Sequence, residues 1–247
     1  MIHYHGLPIT PETVAAEVLS GRHAFISFRH PDQLSIAIEL CQSFALDNGA
    51  FSAWMAGKPV TDWTPFYEWV EQHMYLPNFD FACIPDVIDG DEIQNDDLVA
   101  EWPHGKNIGA PVWHMHESIE RLYHLCHTWP RVCIGSSGAF AQVGTPQWWA
   151  RIRLAISEVM DEKGRPPCKL HGLRMLDPDV FSKLPLASAD STNIGRNIGI
   201  DKNWSRGNYL PPDKNWRAKV MAARIESVNG ATSLPMDSGV QFDMFGM

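Results

Sequence analysis

The feature that most restricts this 247-residue chain is an alternation of short apolar runs with longer amphipathic stretches, repeated eight times. The apolar runs lie at residues 2–5, 24–28, 44–47, 79–85, 110–114, 132–136, 169–174 and 186–190. Each has the length of a buried strand. Between them stand helix signals: ITPETVAAEVLS, with a Thr before Pro at a first-turn position, HPDQLSIAIELCQ, TDWTPFYEWVEQHM, DEIQNDDLVAEW, ESIERLYHLCHTW, TPQWWARIRLAISEVMDEKG and the short DPDVFSKL. Parallel neighbours need a crossover, usually a helix, so strict alternation predicts parallel βαβ units. Eight such units predict a single closed (β/α)8 barrel, a fold that ordinarily takes about 250 residues. The barrel is expected over residues 1–228, and NGATSLPMDSGVQFDMFGM (229–247), which has no period, is expected to be an extended tail.

Composition supports one sizeable core, with 45% hydrophobic and 20% charged residues. No apolar run approaches the roughly 18 residues of a membrane span, and MIHYHGLPIT lacks the basic flank and apolar centre of a signal peptide. The expectation is a soluble cytoplasmic protein with no membrane partner. Five cysteines (Cys41, Cys83, Cys126, Cys133, Cys168) stand singly, without a CxxC pair, and read as reduced packing residues. The net charge of -9 argues against a polyanionic partner, but its distribution does not. Residues 196–224 carry +5, leaving -14 for the rest, and eight acids with no Lys or Arg fall between 79 and 101. A basic side facing away from an acidic one could guide a nucleic acid.

In a barrel of this kind the reactive groups stand at the carboxyl ends of the strands. Those positions hold His5, Asp47, Asp86, His114 or His116, Ser136, residues 171–174 and Asp190. A single strand-end Asp is usually a turn or helix cap. Several on one rim suggest chemistry. Two carboxylates flanking a sugar can break its glycosidic bond, one at the anomeric carbon and one managing the leaving group's proton. Asp47 and Asp190, on the third and eighth predicted strands, could form such a pair.

LDNGAF (46–51), CIGSSG (133–138), KLHGLRM (169–175) and ADSTNIGRN (189–197) occur in the order of, and resemble, the motifs of the tRNA-guanine transglycosylases. Within that superfamily the chain looks most like the compact phage and bacterial branch that inserts 7-deazapurines into DNA. The resemblance implies an exchange of guanine in DNA for a free 7-deazaguanine such as preQ0, with no cofactor and no catalytic metal. Asp190 would be the nucleophile that forms a covalent glycosyl-enzyme, and Asp47 the acid/base and a base contact. Asn48, Phe51, Asp86, His114, Gly135, Ser136 and Gly172 would surround the purine. Arg174 and Arg196 nearest the pocket, with Lys202 and Arg206, would meet phosphates. A buried guanosine must be flipped out of a duplex, or be presented single-stranded, before its C1′ can be attacked.

Two departures stand out. The tRNA enzymes' Cys-x-Cys-x-x-Cys and His zinc site has no match here, which favours DNA over tRNA as the substrate. Ala50 replaces a family glycine, and the residues after Asp190 lack the family's Pro-Thr-Arg run. In the tail, QFDMF resembles the peptide by which replication and repair proteins dock on the bacterial sliding clamp, with Gln241, Phe242, Met244 and Phe245 as its anchors.

The competing reading is a metal-dependent amidohydrolase, built on His3 and His5 of the first strand, His114 and His116 of the fifth, His171 and Asp190. A third is a barrel that binds nucleotides or DNA without catalysis. Trp54, Trp63, Trp69, Trp148 and Trp149 are expected to pack helices on the barrel.

Overall fold

The computed structural model describes residues 1–199 and 210–234. It is an α/β barrel of the TIM type. Parallel strands β1 (Ile2–Gly6), β2 (His23–Ser27), β3 (Ser43–Asp47), β4 (Phe79–Cys83), β5 (Gly109–Ala110), β6 (Val112–His114), β7 (Arg131–Gly135), β8 (Lys169–Gly172) and β9 (Ser188–Ser191) form one sheet. Its order is β5-β4-β3-β2-β1-β9-β8-β7-β6. The fifth expected strand is thus two segments, because Pro111 has no N–H to give the ladder. Its carbonyl still accepts from Cys133 N at 2.9 Å. β5 pairs with β4 and β6 with β7, so the covalent chain through Pro111 closes the ring.

Helices run between the strands: α1 (Glu12–Leu19), α2 (Leu34–Leu40), α3 (Ala50–Met55), α4 (Thr64–His73), α5 (Glu92–Glu101), α6 (Ile119–Thr128), α7 (Pro146–Val159), α8 (Pro178–Phe181), α9 (Asn193–Asn197) and α10 (Lys214–Glu226). Side-chain oxygens begin several of them. Asp91 and Gln94 make a capping box at α5, and Ser118, Thr145 and Asp213 cap α6, α7 and α10. At α1, Pro11 itself is the cap residue and Thr10 bonds nothing there. Two short helices, α3 and α9, had no counterpart in the sequence reading. Both follow directly on strands that bear the expected catalytic aspartates.

Strand alternation sorts the side chains into two sets. Tyr4, Phe25, Ala45, Phe81, Cys83, Val112 and Cys133 turn inward and pack together. His171 lies among them, its ring 5.3 Å from Phe25 and 5.1 Å from Phe81. Phe44, Leu46, Val132, Leu170 and Ala189 turn outward under the helices. The parity set by Ala45 carries Asp47 inward at the end of β3, and that set by Ser188 does the same for Asp190 on β9. α10 is fastened to α1 and β1: Lys219 donates to Glu17 of α1, and Glu226 accepts from Arg22 Nε, between α1 and β2, at 2.8 Å and meets His5 Nε2 of β1 at 2.9 Å. Burial would raise the Glu226 carboxyl, but these two partners hold it down to about 2. Among the described residues no helix is long and apolar enough to cross a membrane.

Candidate active site

Asp190 is buried, with 5% of its surface exposed. Its Oδ1 accepts the backbone N–H of Arg174 at 2.9 Å and lies 3.4 Å from His171 Nε2. His171 is held in turn by Nδ1 on the Ser188 hydroxyl at 2.8 Å. Burial lowers the pKa of His171, so the ring beside Asp190 is neutral near pH 7. Arg174 reaches Asp190 by an unusual backbone: its φ is +60°, the left-handed region that a side chain seldom occupies. From there its Nη2 donates to Ser136 O at 2.9 Å, and its guanidinium lies 4.1 Å above the Phe51 ring. One residue thereby ties β9, the loop after β7 and α3 together.

Asp47 faces the same mouth. Burial pushes its carboxyl up to about 7; the Ser27 hydroxyl opposes the shift, while the Asp190 and Asp86 charges add to it. The three carboxylates therefore lie close enough at the strand ends for their charges to interact. Asp86, 8% exposed, accepts Asn48 Nδ2 at 2.7 Å, and His114 Nε2 stands 2.9 Å from its other oxygen, close enough for an ion pair but without the alignment of a hydrogen bond.

Asn48 is a scaffold in this geometry. Only 2% exposed, it donates to Ile84 O at 2.9 Å as well as to Asp86, and its Oδ1 accepts Ala50 N at 2.7 Å. Both N–H groups are spent, so it orients Asp86 and starts α3. Gly49 must follow it, because φ is +78° and a β-carbon there would lie 2.5 Å from Arg29 Cγ.

The other expected contacts divide. Ser136 is buried with its hydroxyl accepting from Trp148 Nε1 at 2.9 Å, which leaves its carbonyl for Arg174. Gly135 lets His114 approach; a β-carbon would sit 3.2 Å from the ring. Gly172 admits Leu186 and Met175, 2.9 Å from where a β-carbon would be, and so serves packing. Arg196, on α9, is exposed and close enough to Arg174 for their charges to interact. Lys202, Arg206, Gln241, Phe242, Met244 and Phe245 lie outside the described residues.

Sequence reasoning missed Glu117. Its buried carboxylate accepts the His114 N–H at 2.8 Å, Asn95 Nδ2 at 2.8 Å and Arg121 Nη1 at 2.7 Å, fixing the loop that carries His114. An acid three residues past a strand-end histidine was the available signal. Trp54 also departs from expectation. Trp63 and Trp148 are buried as packing residues, whereas Trp54 is 39% exposed on α3.

The histidines proposed as metal ligands are dispersed. His3 and His5 have the outward parity, opposite to Tyr4, and bond Val228 O and Glu226 behind the sheet. His116 stitches two loops, with Nδ1 on Ser137 Oγ at 2.7 Å and Nε2 on Gly90 O at 2.9 Å. Among the described residues no three His, Cys, Asp or Glu side chains gather as a metal-holding group.

No family model matches the chain, and no curated protein matches it. Among solved structures it is similar to that of a "putative fructose-1,6-biphosphate aldolase" from Coccidioides immitis, at 13% identity and a TM-score of 0.50, over 92% of this chain and 88% of that one. The likeness is one of fold.

Proposed function

We propose that the chain is a base-exchanging glycosyltransferase that replaces guanine in DNA with a 7-deazaguanine. The observation that carries the reading is the pairing of two unlike carboxyls at one mouth. Asp47 is pushed up to about 7, where a carboxyl can both give and take a proton near neutrality, and Asp190 is held at one oxygen. No described residue engages Asp190 Oδ2, which leaves it to act as nucleophile. The motif resemblance supplies the substrate class.

In this scheme Asp190 Oδ2 bonds to C1′ of a deoxyguanosine as the bond from C1′ to the base nitrogen breaks. The bond's electron pair leaves with guanine, and protonated Asp47 supplies the proton the departing base needs. A 7-deazaguanine then bonds through its ring nitrogen to C1′, passes a proton to Asp47 and displaces the Asp190 carboxylate. Two inversions give net retention. Asp86, oriented by Asn48, would read the donor edge of the purine, and Phe51 with the Arg174 guanidinium would offer a stacking surface. The outward parity of His3 and His5 leaves the hydrolase reading without its first-strand ligands.

The direct test is transfer of labelled preQ0 into guanine-containing DNA. Wild-type protein should incorporate label, and Asp190→Asn should lose at least about a thousandfold in rate while binding DNA as before. Equal incorporation by the variant refutes the scheme, and DNA binding without incorporation by either protein supports the non-catalytic barrel instead.

A further inference from the structure

The exposed apolar edge of α3 has no work in the pocket. Trp54 is 39% exposed and Met55 65%, on a helix that begins three residues after Asp47. Trp54 is not isolated from the site. Its ring lies 5.9 Å from Phe51 at 37°, and Phe51 carries the Arg174 guanidinium on its face, so an unbroken ledge leads from the pocket rim to solvent. Around this ledge stand exposed cations from different connections: Arg29 after β2, packed beside Gly49; Lys58 just past α3; Arg174 after β8; and Arg196 on α9. No described side chain pairs with Arg29, Lys58 or Arg196. The exposed acids Asp89, Asp91, Asp96 and Asp97 come after β4, at the start of α5 and on it, on the side of β3 opposite β2.

A large apolar edge flanked by cations, beside carboxylates too buried to reach a nucleotide still in its stack, fits a duplex with one nucleotide extruded. We propose that α3 is a wedge: Trp54 and Met55 enter double-stranded DNA at the gap left by the target nucleotide. The flanking cations hold the phosphates on either side. The inference rests on the base-exchange reading for its substrate and makes duplex DNA, rather than a single strand, the form the enzyme is built to open. Stacking keeps the gap filled while the nucleotide is in the pocket, and sequence tolerance follows because every base offers a face to an indole.

The test uses the full chain and one guanine-containing oligonucleotide, offered single-stranded and as a duplex. Trp54→Ala should lower exchange on the duplex by about tenfold or more, as loss of one stacking partner implies, and leave exchange on the single strand within about twofold. Trp54→Phe should recover most of the loss. A drop of equal size on both substrates would assign Trp54 to the pocket or the fold, and no drop on either would remove the wedge; both overturn the proposal. A second readout does not depend on chemistry. With 2-aminopurine beside the target guanine, wild-type protein at saturation should raise fluorescence in the duplex, and Trp54→Ala should not. A rise without base exchange keeps the wedge and rejects the exchange chemistry, whereas exchange without a rise rejects the wedge alone.

Discussion

Asp47 binds its proton more tightly in the folded chain than in the unfolded one, where a free aspartate releases it near 3.8. The folded state therefore draws stability from this group at low pH and loses it as pH climbs through about 7, by at most roughly 4 kcal/mol. Asp47→Asn removes the titration. Denaturant midpoints measured from pH 4 to 8 should fall less steeply for the variant, and at pH 8 it should be the more stable protein even though it exchanges bases poorly. A difference between wild type and Asp47→Asn that stays constant from pH 5 to 8 would mean that Asp47 does not titrate there, which contradicts its role in passing a proton near neutrality. The same group should also set a limb of the rate profile: exchange slows above about pH 7 as the protonated carboxyl disappears. Asp47 and Asp190 were legible as candidates because an apolar run ending on an acid is costly unless the acid is used. The raised pKa was not, since it depends first on burial and then on the charges of Asp190 and Asp86, all of which reach Asp47 only through folding.

The element that organises the mouth is the turn from β3 into α3. Asn48 there makes three hydrogen bonds at a buried position, two to the loop after β4 and one to the first N–H of the helix. Asn48→Ala should cost about 2–4 kcal/mol, seen as a lower unfolding midpoint. Asn48→Asp should retain the cap but repel Asp86 and weaken base binding more than it weakens the fold. Strand positions could be read from the apolar runs because burial on both faces of a parallel sheet leaves long uninterrupted hydrophobic segments. The split at Pro111 was also written in the sequence, yet an apolar run masks a missing N–H. Side-chain parity was the harder matter. His3 and His5 share a face whichever way the strand turns, and the face is decided by Tyr4, whose hydroxyl bonds Asp80 at 2.5 Å inside the barrel. That contact spans 76 residues and has no local signature. Short helices such as α3 escape for a related reason: six residues give too little periodicity to register.

Across the whole molecule, charge is arranged against its own total. A chain of net charge -9 repels DNA on average, so any binding must come from the cations grouped at the strand-end face. Affinity for duplex DNA should fall steeply with salt, and Arg196→Ala should reduce the slope of log K against log[salt] by about one while weakening all sequences alike. An unchanged slope would place Arg196 away from the phosphates. The charge asymmetry was visible in the sequence, but its use was only half visible. α10, the most basic of the described helices, spends Lys219 on Glu17 and Arg217 on the Pro211 carbonyl while it packs against α1, so the barrel claims charges that composition would have assigned to DNA. The central claim is covalent capture of a deoxyribose by one aspartate. It is met most directly by acid-quenching the enzyme with guanine-containing DNA, in the absence of an incoming base, and mapping any linked nucleotide by mass spectrometry. The account predicts a protein-DNA ester on Asp190, absent from Asp190→Asn. Base exchange that proceeds at full rate in Asp190→Asn, or an ester on any other residue, would contradict it.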